Sequence, residues 1–234
     1  MKPVIKKDSK RALIIGVEGF VGQNLIENLS HHRRYESVRV FAQQKWNTAG
    51  DHIEVVEQTL DRIDKDLLEG DDLFCCFDAS FFNAGGKYEL DKKHYKFIPI
   101  LSNAAHRNGV SQLVFLSTKA AHPDALLFSN RVRGIIEQSV RKIGFWSIHI
   151  FRPSLLIGES SEKTWGSKGA ELIGGRIDNL TGGWLKRNRP IEASVVASAM
   201  LEAATRIEEG VHEYSSTWLQ DYASARQTKD LTKK

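Results

Sequence analysis

The chain of 234 residues holds only two cysteines, five prolines and two methionines. No run of apolar residues is long enough to span a bilayer as a helix, so no membrane partner is expected. The cysteines, Cys75 and Cys76, are adjacent within FCCF. Neighbours on a strand point to opposite faces, so a bond between them would need distorted geometry, and both read as reduced packing residues. With 41% hydrophobic and 26% charged residues, disulfide-rich, collagen-like and wholly disordered classes are excluded. Metal-ligand spacing is missing too: His31 and His32 sit in HHRR, which reads as a solvated connection, and no metal is expected. Nor is there a strong excess of one charge. The net +4 is matched by five basic residues against one acidic residue in the first eleven, so the remainder is neutral. That places the excess on a tail rather than on a folded face, and specific nucleic-acid binding is not expected. The first residues, MKPVIKKDSKR, lack the apolar core and cleavage site of a secretory signal, and a cytosolic compartment is expected.

What is present is alternation. Apolar or alternating runs at Ala12–Ile15, Ser37–Ala42, Ile53–Val56, Leu73–Phe77, Gln112–Ser117 and Ser147–Phe151 read as strands. Between and beyond them, helical patterns fall on Gly19–Leu29, Asp61–Leu68, Tyr88–Asn108, Leu127–Ile143, Ile191–Ile207 and Thr217–Leu231, with a last short strand at Val211–Tyr214. Pro99 is expected to kink or break its helix, and Ser216 or Thr217 to cap the last one. Repeated βαβ units give an α/β fold: a doubly wound parallel sheet, helices on both faces, and a small C-terminal elaboration. Residues 1–11 are expected to be a flexible basic tail and 12–234 a single domain. Its stretch 153–190, with seven glycines between Gly158 and Gly183, reads as a loop-rich lid or substrate region.

The first strand runs into Gly16-Val17-Glu18-Gly19-Phe20-Val21-Gly22, a GxxGxxG at a strand-to-helix turn. In such a turn Gly16 permits the sharp bend, Gly19 admits a pyrophosphate to the backbone, and Gly22 lets helix and strand pack closely. The helix start at Phe20 and Val21 then offers free N–H groups to the phosphates. Set in a βαβ series, the motif points to a Rossmann-like dinucleotide site binding NAD(H) or NADP(H). Glu18 puts a carboxylate in the same loop, where it either repels the ligand or faces solvent. After the second strand the chain reads Ala42-Gln43-Gln44-Lys45, with neither the acid that takes an NAD ribose nor a cluster of bases for a 2′-phosphate. Lys45 gives NADP a slight edge.

The stretches LIIGVEGFVGQNL, FCCFDAS, VSQLVFLSTKAAHPDA, FSNRVRGIIEQ and IHIFRPSLLIGES, in this order, resemble the atypical short-chain dehydrogenase/reductases of the Tat-interacting-protein-like branch. The resemblance covers about residues 13–160. It implies an NAD(P)-binding Rossmann domain, and a Ser, a Tyr and a Lys four residues after the Tyr as the proton-transfer group. These positions fall on Thr118, Ser129 and Arg133. An aliphatic hydroxyl is far too weak an acid to replace a phenol of ordinary pKa about 10, and a guanidinium is not a lysine substitute. Asp78 and Ala79 occupy the turn after the fourth strand, beside the implied cofactor, and Arg152-Pro153 the turn bordering its nicotinamide end. His122 is the candidate replacement acid.

Three functions fit: a dinucleotide-binding sensor or scaffold with a degenerate Tyr/Lys pair, an NADP(H)-dependent oxidoreductase with an unconventional acid, or an interaction module that no longer binds cofactor. The partner is accordingly a small-molecule substrate or another protein, and a symmetric homodimer is the default assembly.

Overall fold

The computed structural model describes residues 9–43, 50–77, 88–154, 156–157 and 190–231. The described elements, in chain order, are β1 (Lys10–Ile15), α1 (Phe20–Ser30), β2 (Tyr35–Ala42), β3 (Ile53–Glu57), β4 (Asp72–Cys75), α2 (Tyr88–Arg107), β5 (Gln112–Leu116), α3 (Phe128–Arg141), β6 (Ser147–Arg152), β7 (Leu156–Ile157), β8 (Ile191–Glu192), α4 (Ala193–Thr205), β9 (Gly210–Ser215) and α5 (Ser216–Leu231). Seven strands form one parallel sheet in the order β3-β2-β1-β4-β5-β6-β9. The direction of winding reverses between β1 and β4. In an open sheet of this kind the crevice at such a reversal, outside the carboxyl ends of the strands, is where ligands bind.

The central strands read as continuous apolar runs because both faces of the sheet are covered. Ala12, Ile14, Phe74, Cys76, Val114 and Leu116 enter the layer beneath α1, α4 and α5. Their neighbours Leu13, Ile15, Leu73, Cys75, Phe77, Leu113 and Phe115 enter the opposite layer, under α2 and α3. The two cysteines therefore point to opposite cores, and both are buried free thiols. Burial pushes the Cys75 thiol up to about 12, so it stays protonated and inert.

Several local expectations are corrected. Asp61–Leu68 is not an α-helix: only a 3₁₀ turn forms at Lys65–Leu67, where the Asp64 carboxylate accepts the Asp66 N–H at 3.0 Å and competes with helical pairing. Of the kink or break expected at Pro99, the break does not occur: α2 is continuous there. The helix expected from Ile191 begins at Ala193, because Ile191–Glu192 pairs in parallel with Leu156–Ile157. α5 is capped by Ser215, whose Oγ accepts the Trp218 N–H at 3.2 Å, rather than by Ser216 or Thr217. Lys10 and Arg11 belong to β1 and not to a tail. Lys45, Asp78, Ala79 and nearly all of the glycine-rich 153–190 stretch lie outside the described residues.

Candidate functional site

The turn between β1 and α1 lies at the winding reversal. Gly16 has φ +80°, and a Cβ there would stand 2.8 Å from the backbone nitrogen and ring of Phe77, just past the end of β4. A side chain on Gly22 would come within 2.6 Å of the Val17 Cα and 2.8 Å of the Gly16 carbonyl oxygen. These two glycines are required by the fold itself: one lets β1 and β4 close up, the other seats α1 on the turn. Gly19 differs. At φ −87°, ψ 164° it is in ordinary extended backbone that any residue adopts, so its own conformation does not call for glycine.

Gly19 is the N-cap of α1, with no side-chain cap and no acid in the first turn. The first intrahelical donor to the turn is the Gln23 N–H, bonded to the Gly19 carbonyl at 3.1 Å. The N–H groups of Phe20, Val21 and Gly22 therefore keep the orphan donors and positive dipole end of a helix start. The side chain of Val21 is buried in the core and that of Phe20 packs against it, so both serve the turn through backbone alone.

Glu18 is tied to the neighbouring strand end. It is half-buried, and its Oε1 accepts the backbone N–H of Gln43, just beyond β2, at 3.1 Å. The carboxylate bridges the carboxyl ends of β1 and β2.

On the other side of the reversal, the ends of β4, β5 and β6 converge. Arg133 is 5% exposed and donates through Nη1 to the Phe77 carbonyl at 3.1 Å. Thr118 is half-buried in the turn after β5. The next residue, Lys119, donates its N–H to the Pro153 carbonyl at 2.9 Å, tying this turn to the one after β6. Ser129 is exposed in the first turn of α3. The His122 side chain faces outward: its ring is 68% exposed, and Nδ1 accepts the Asp124 N–H at 3.2 Å. Arg152 does not reach toward the crevice with a free charge. Its guanidinium is held by Glu137 and Glu213, the latter at 2.6 Å. The bond to Glu137 raises its pKa further, so it stays charged.

Glu137 was not singled out by sequence reasoning. It is buried on α3, accepts from Ser117 Oγ as well as from Arg152, and so locks α3 to the ends of β5 and β6. Its only sequence signal is its place four residues after Arg133, one helical turn on the same face.

No family model matches the chain. Protein fmp52-1, mitochondrial, of Aspergillus oryzae is 26% identical over 211 residues, covering 84% of this chain and 87% of its own length. Protein HTATIP2 of Rattus norvegicus is 23% identical over 167 residues, 67% of each chain. Among solved structures, a short chain dehydrogenase family protein from Francisella tularensis superposes with TM-score 0.59 at 15% identity, covering 90% of this chain and 98% of its own. The Bordetella bronchiseptica enzyme WbmG in complex with NAD gives TM-score 0.60 at 16% identity, covering 91% and 74%.

The fold is the Rossmann-like fold of the short-chain dehydrogenases. The cytosolic expectation is corrected by the sequence relatives, since fungal ones from seven organisms are named mitochondrial proteins. The make-up of the first residues was no argument for the cytosol. Among the described residues no helix is long and apolar enough to cross a membrane, and no group of His, Cys, Asp or Glu is placed to hold a metal.

Proposed function

We propose that this chain is an NAD(H)- or NADP(H)-binding protein of the atypical short-chain dehydrogenase/reductase type, in the branch that includes the rat relative HTATIP2. In this reading it has lost the Tyr/Lys proton relay and acts as a cofactor sensor or scaffold. The names of the fungal relatives favour a mitochondrial setting for it.

The observation that carries the binding reading is Gly19: a glycine held in ordinary extended backbone, at the uncapped start of α1 in the reversal crevice. A missing side chain at that point lets an anionic group approach the Phe20, Val21 and Gly22 N–H groups. Gly16, Gly19 and the first turn of α1 would hold the pyrophosphate. The ends of β4 to β6, with Phe77, Thr118 and Pro153, would border the nicotinamide. A nicotinamide dinucleotide bound there supplies hydride-transfer chemistry. What the chain adds is position: Arg133 fixes the end of β4, and Glu137 fixes the ends of β5 and β6.

The lost relay rests on residue chemistry. The tyrosine position is Ser129, exposed and far too weak an acid. The lysine position is Arg133, committed to the Phe77 carbonyl. The ring of His122 is exposed and bonded to its own loop, without a fixed partner among the described residues that would aim it at a substrate.

Titration with NADH, read by nicotinamide fluorescence, tests the reading. Saturable binding is expected for the wild-type chain. Gly19→Asp, which sets a carboxylate against the pyrophosphate, should abolish it. Binding that survives Gly19→Asp unchanged would place the nucleotide elsewhere.

A further inference from the structure

The bond between Glu18 and Gln43 joins two pieces of sequence that have no shared motif. Glu18 lies between the first two glycines of the turn after β1, and Gln43 directly follows Ala42 at the end of β2. β1 and β2 are parallel neighbours, with Ile15 beside Phe41, so the turn and the strand end stand side by side at the same edge of the sheet. In a dinucleotide fold this is the place of the adenosine ribose. An acid at the end of β2 accepts from its 2′-hydroxyl, or a base there neutralises a 2′-phosphate. Ala42 and Gln43 supply neither.

We infer that Glu18, reaching across from the glycine turn, replaces the absent acid of β2 and selects an unphosphorylated ribose, so that NAD(H) rather than NADP(H) is the ligand. This rests on the dinucleotide reading given above and makes it specific, against the slight NADP edge that Lys45 suggested.

Two physical effects act in the same direction. A 2′-phosphate needs donors or cations. The Gln43 N–H, the backbone donor that directly follows β2, is already taken by Glu18 Oε1 at 3.1 Å. The carboxylate also carries a negative charge, which repels a dianion at the partly desolvated edge far more than it would in water. A ribose hydroxyl, by contrast, is a donor. Among the described residues the second carboxylate oxygen, Oε2, accepts no hydrogen bond, and a carboxylate oxygen is the acceptor that such a donor needs. The Gln43 bond holds the side chain in one orientation, so little further freedom is lost when a ligand binds.

The test is calorimetric titration of the full chain with NADH, NAD, NADPH and NADP, for the wild type, Glu18→Gln and Glu18→Ser. Glu18→Gln keeps an acceptor for the Gln43 N–H and removes only the charge; Glu18→Ser removes both. The wild type is expected to bind NADH at least about tenfold more tightly than NADPH. Both substitutions should shrink that ratio, Glu18→Ser the more, chiefly through tighter NADPH binding. A wild type that binds NADPH as well as NADH, or a ratio unmoved by Glu18→Gln, would overturn the role of Glu18 while leaving the dinucleotide site intact. Failure of the wild type to bind any of the four would overturn the site, and this inference with it.

Discussion

His149 sits in the middle of β6 with no solvent exposure. Ser147 Oγ lies 3.0 Å from Nε2 and Tyr214 Oη 3.0 Å from Nδ1. Both hydroxyls can donate or accept, so a neutral imidazole is satisfied at both nitrogens in either tautomer. Burial, with smaller contributions from His212, Arg206 and Lys10, lowers its pKa to about 3. The unfolded chain takes up this proton near pH 6.5 and the folded chain does not, so the stabilisation is complete above that value and is lost as pH falls toward 3. The slope is about 1.4 kcal/mol per pH unit. Urea unfolding between about pH 6 and pH 4 should therefore show the wild type losing stability more steeply than His149→Gln by roughly that slope. Parallel losses would mean that the imidazole is already charged or exposed in the fold. A Ser, a His and a Tyr together invite a catalytic reading. Their full burial and the depressed histidine pKa make this a packing device of the β6–β9 pair instead.

At the level of single elements, α3 shows how position in the fold overrides local preference. Gly134, in the second turn of α3, would gain roughly 1 kcal/mol of helix propensity as alanine. A Cβ there would stand 2.3 Å from the His122 carbonyl carbon and 2.5 Å from the Pro123 nitrogen. Overpacking against backbone costs about 1–3 kcal/mol, so the clash wins. Gly134→Ala should lower the thermal midpoint, by roughly 2–6 °C. An unchanged or raised midpoint would show that the 122–123 segment moves aside freely.

The same element-level logic explains what the sequence could and could not reveal. β1, β4 and β5 were legible because burial on both faces leaves an unbroken apolar signature, and the glycine turn because Gly16 and Gly22 answer to steric demands that only glycine meets. Asp64 converted an expected helix into a single turn through one side-chain bond, which hydrophobic spacing cannot register. Glu18 was visible as an anomaly, but its partner is 25 residues away on the neighbouring strand. Only the parallel register of β1 with β2 brings the two together. Arg152 was set beside the nicotinamide end by the family resemblance alone. The partners that its guanidinium binds, Glu137 and Glu213, belong to α3 and β9.

For the whole molecule, the two ends of the sheet divide the labour. At the amino end a buried polar cluster fixes the architecture. Lys10 Nζ donates to Asp72 at 2.9 Å and to the Ala204 carbonyl at 3.0 Å, and Tyr35 Oη donates to Asp72 at 2.6 Å. Gln112 donates to the Ala204 carbonyl as well, and Arg34 to the Thr205 carbonyl, so the last turn of α4 is closed by side chains from three strand regions. Cationic donors at a helix C-terminus also complement its dipole. The residue expected in a loose tail, Lys10, is therefore a structural anchor. At the carboxyl end, the glycine turn, the Glu18–Gln43 bridge and the Arg133–Phe77 bond surround the crevice where the winding reverses.

The most direct measurement is the thermal unfolding midpoint of the full chain, alone and with each of NADH, NAD, NADPH and NADP at about 1 mM. A ligand held at about a hundred times its dissociation constant adds roughly 2.7 kcal/mol to the folded state. For a chain of this size that is a rise of about 5–10 °C. A rise with NADH or NAD that exceeds any rise with the phosphorylated forms is the expected result; a midpoint unmoved by all four would contradict dinucleotide binding at the β1–β4 crevice.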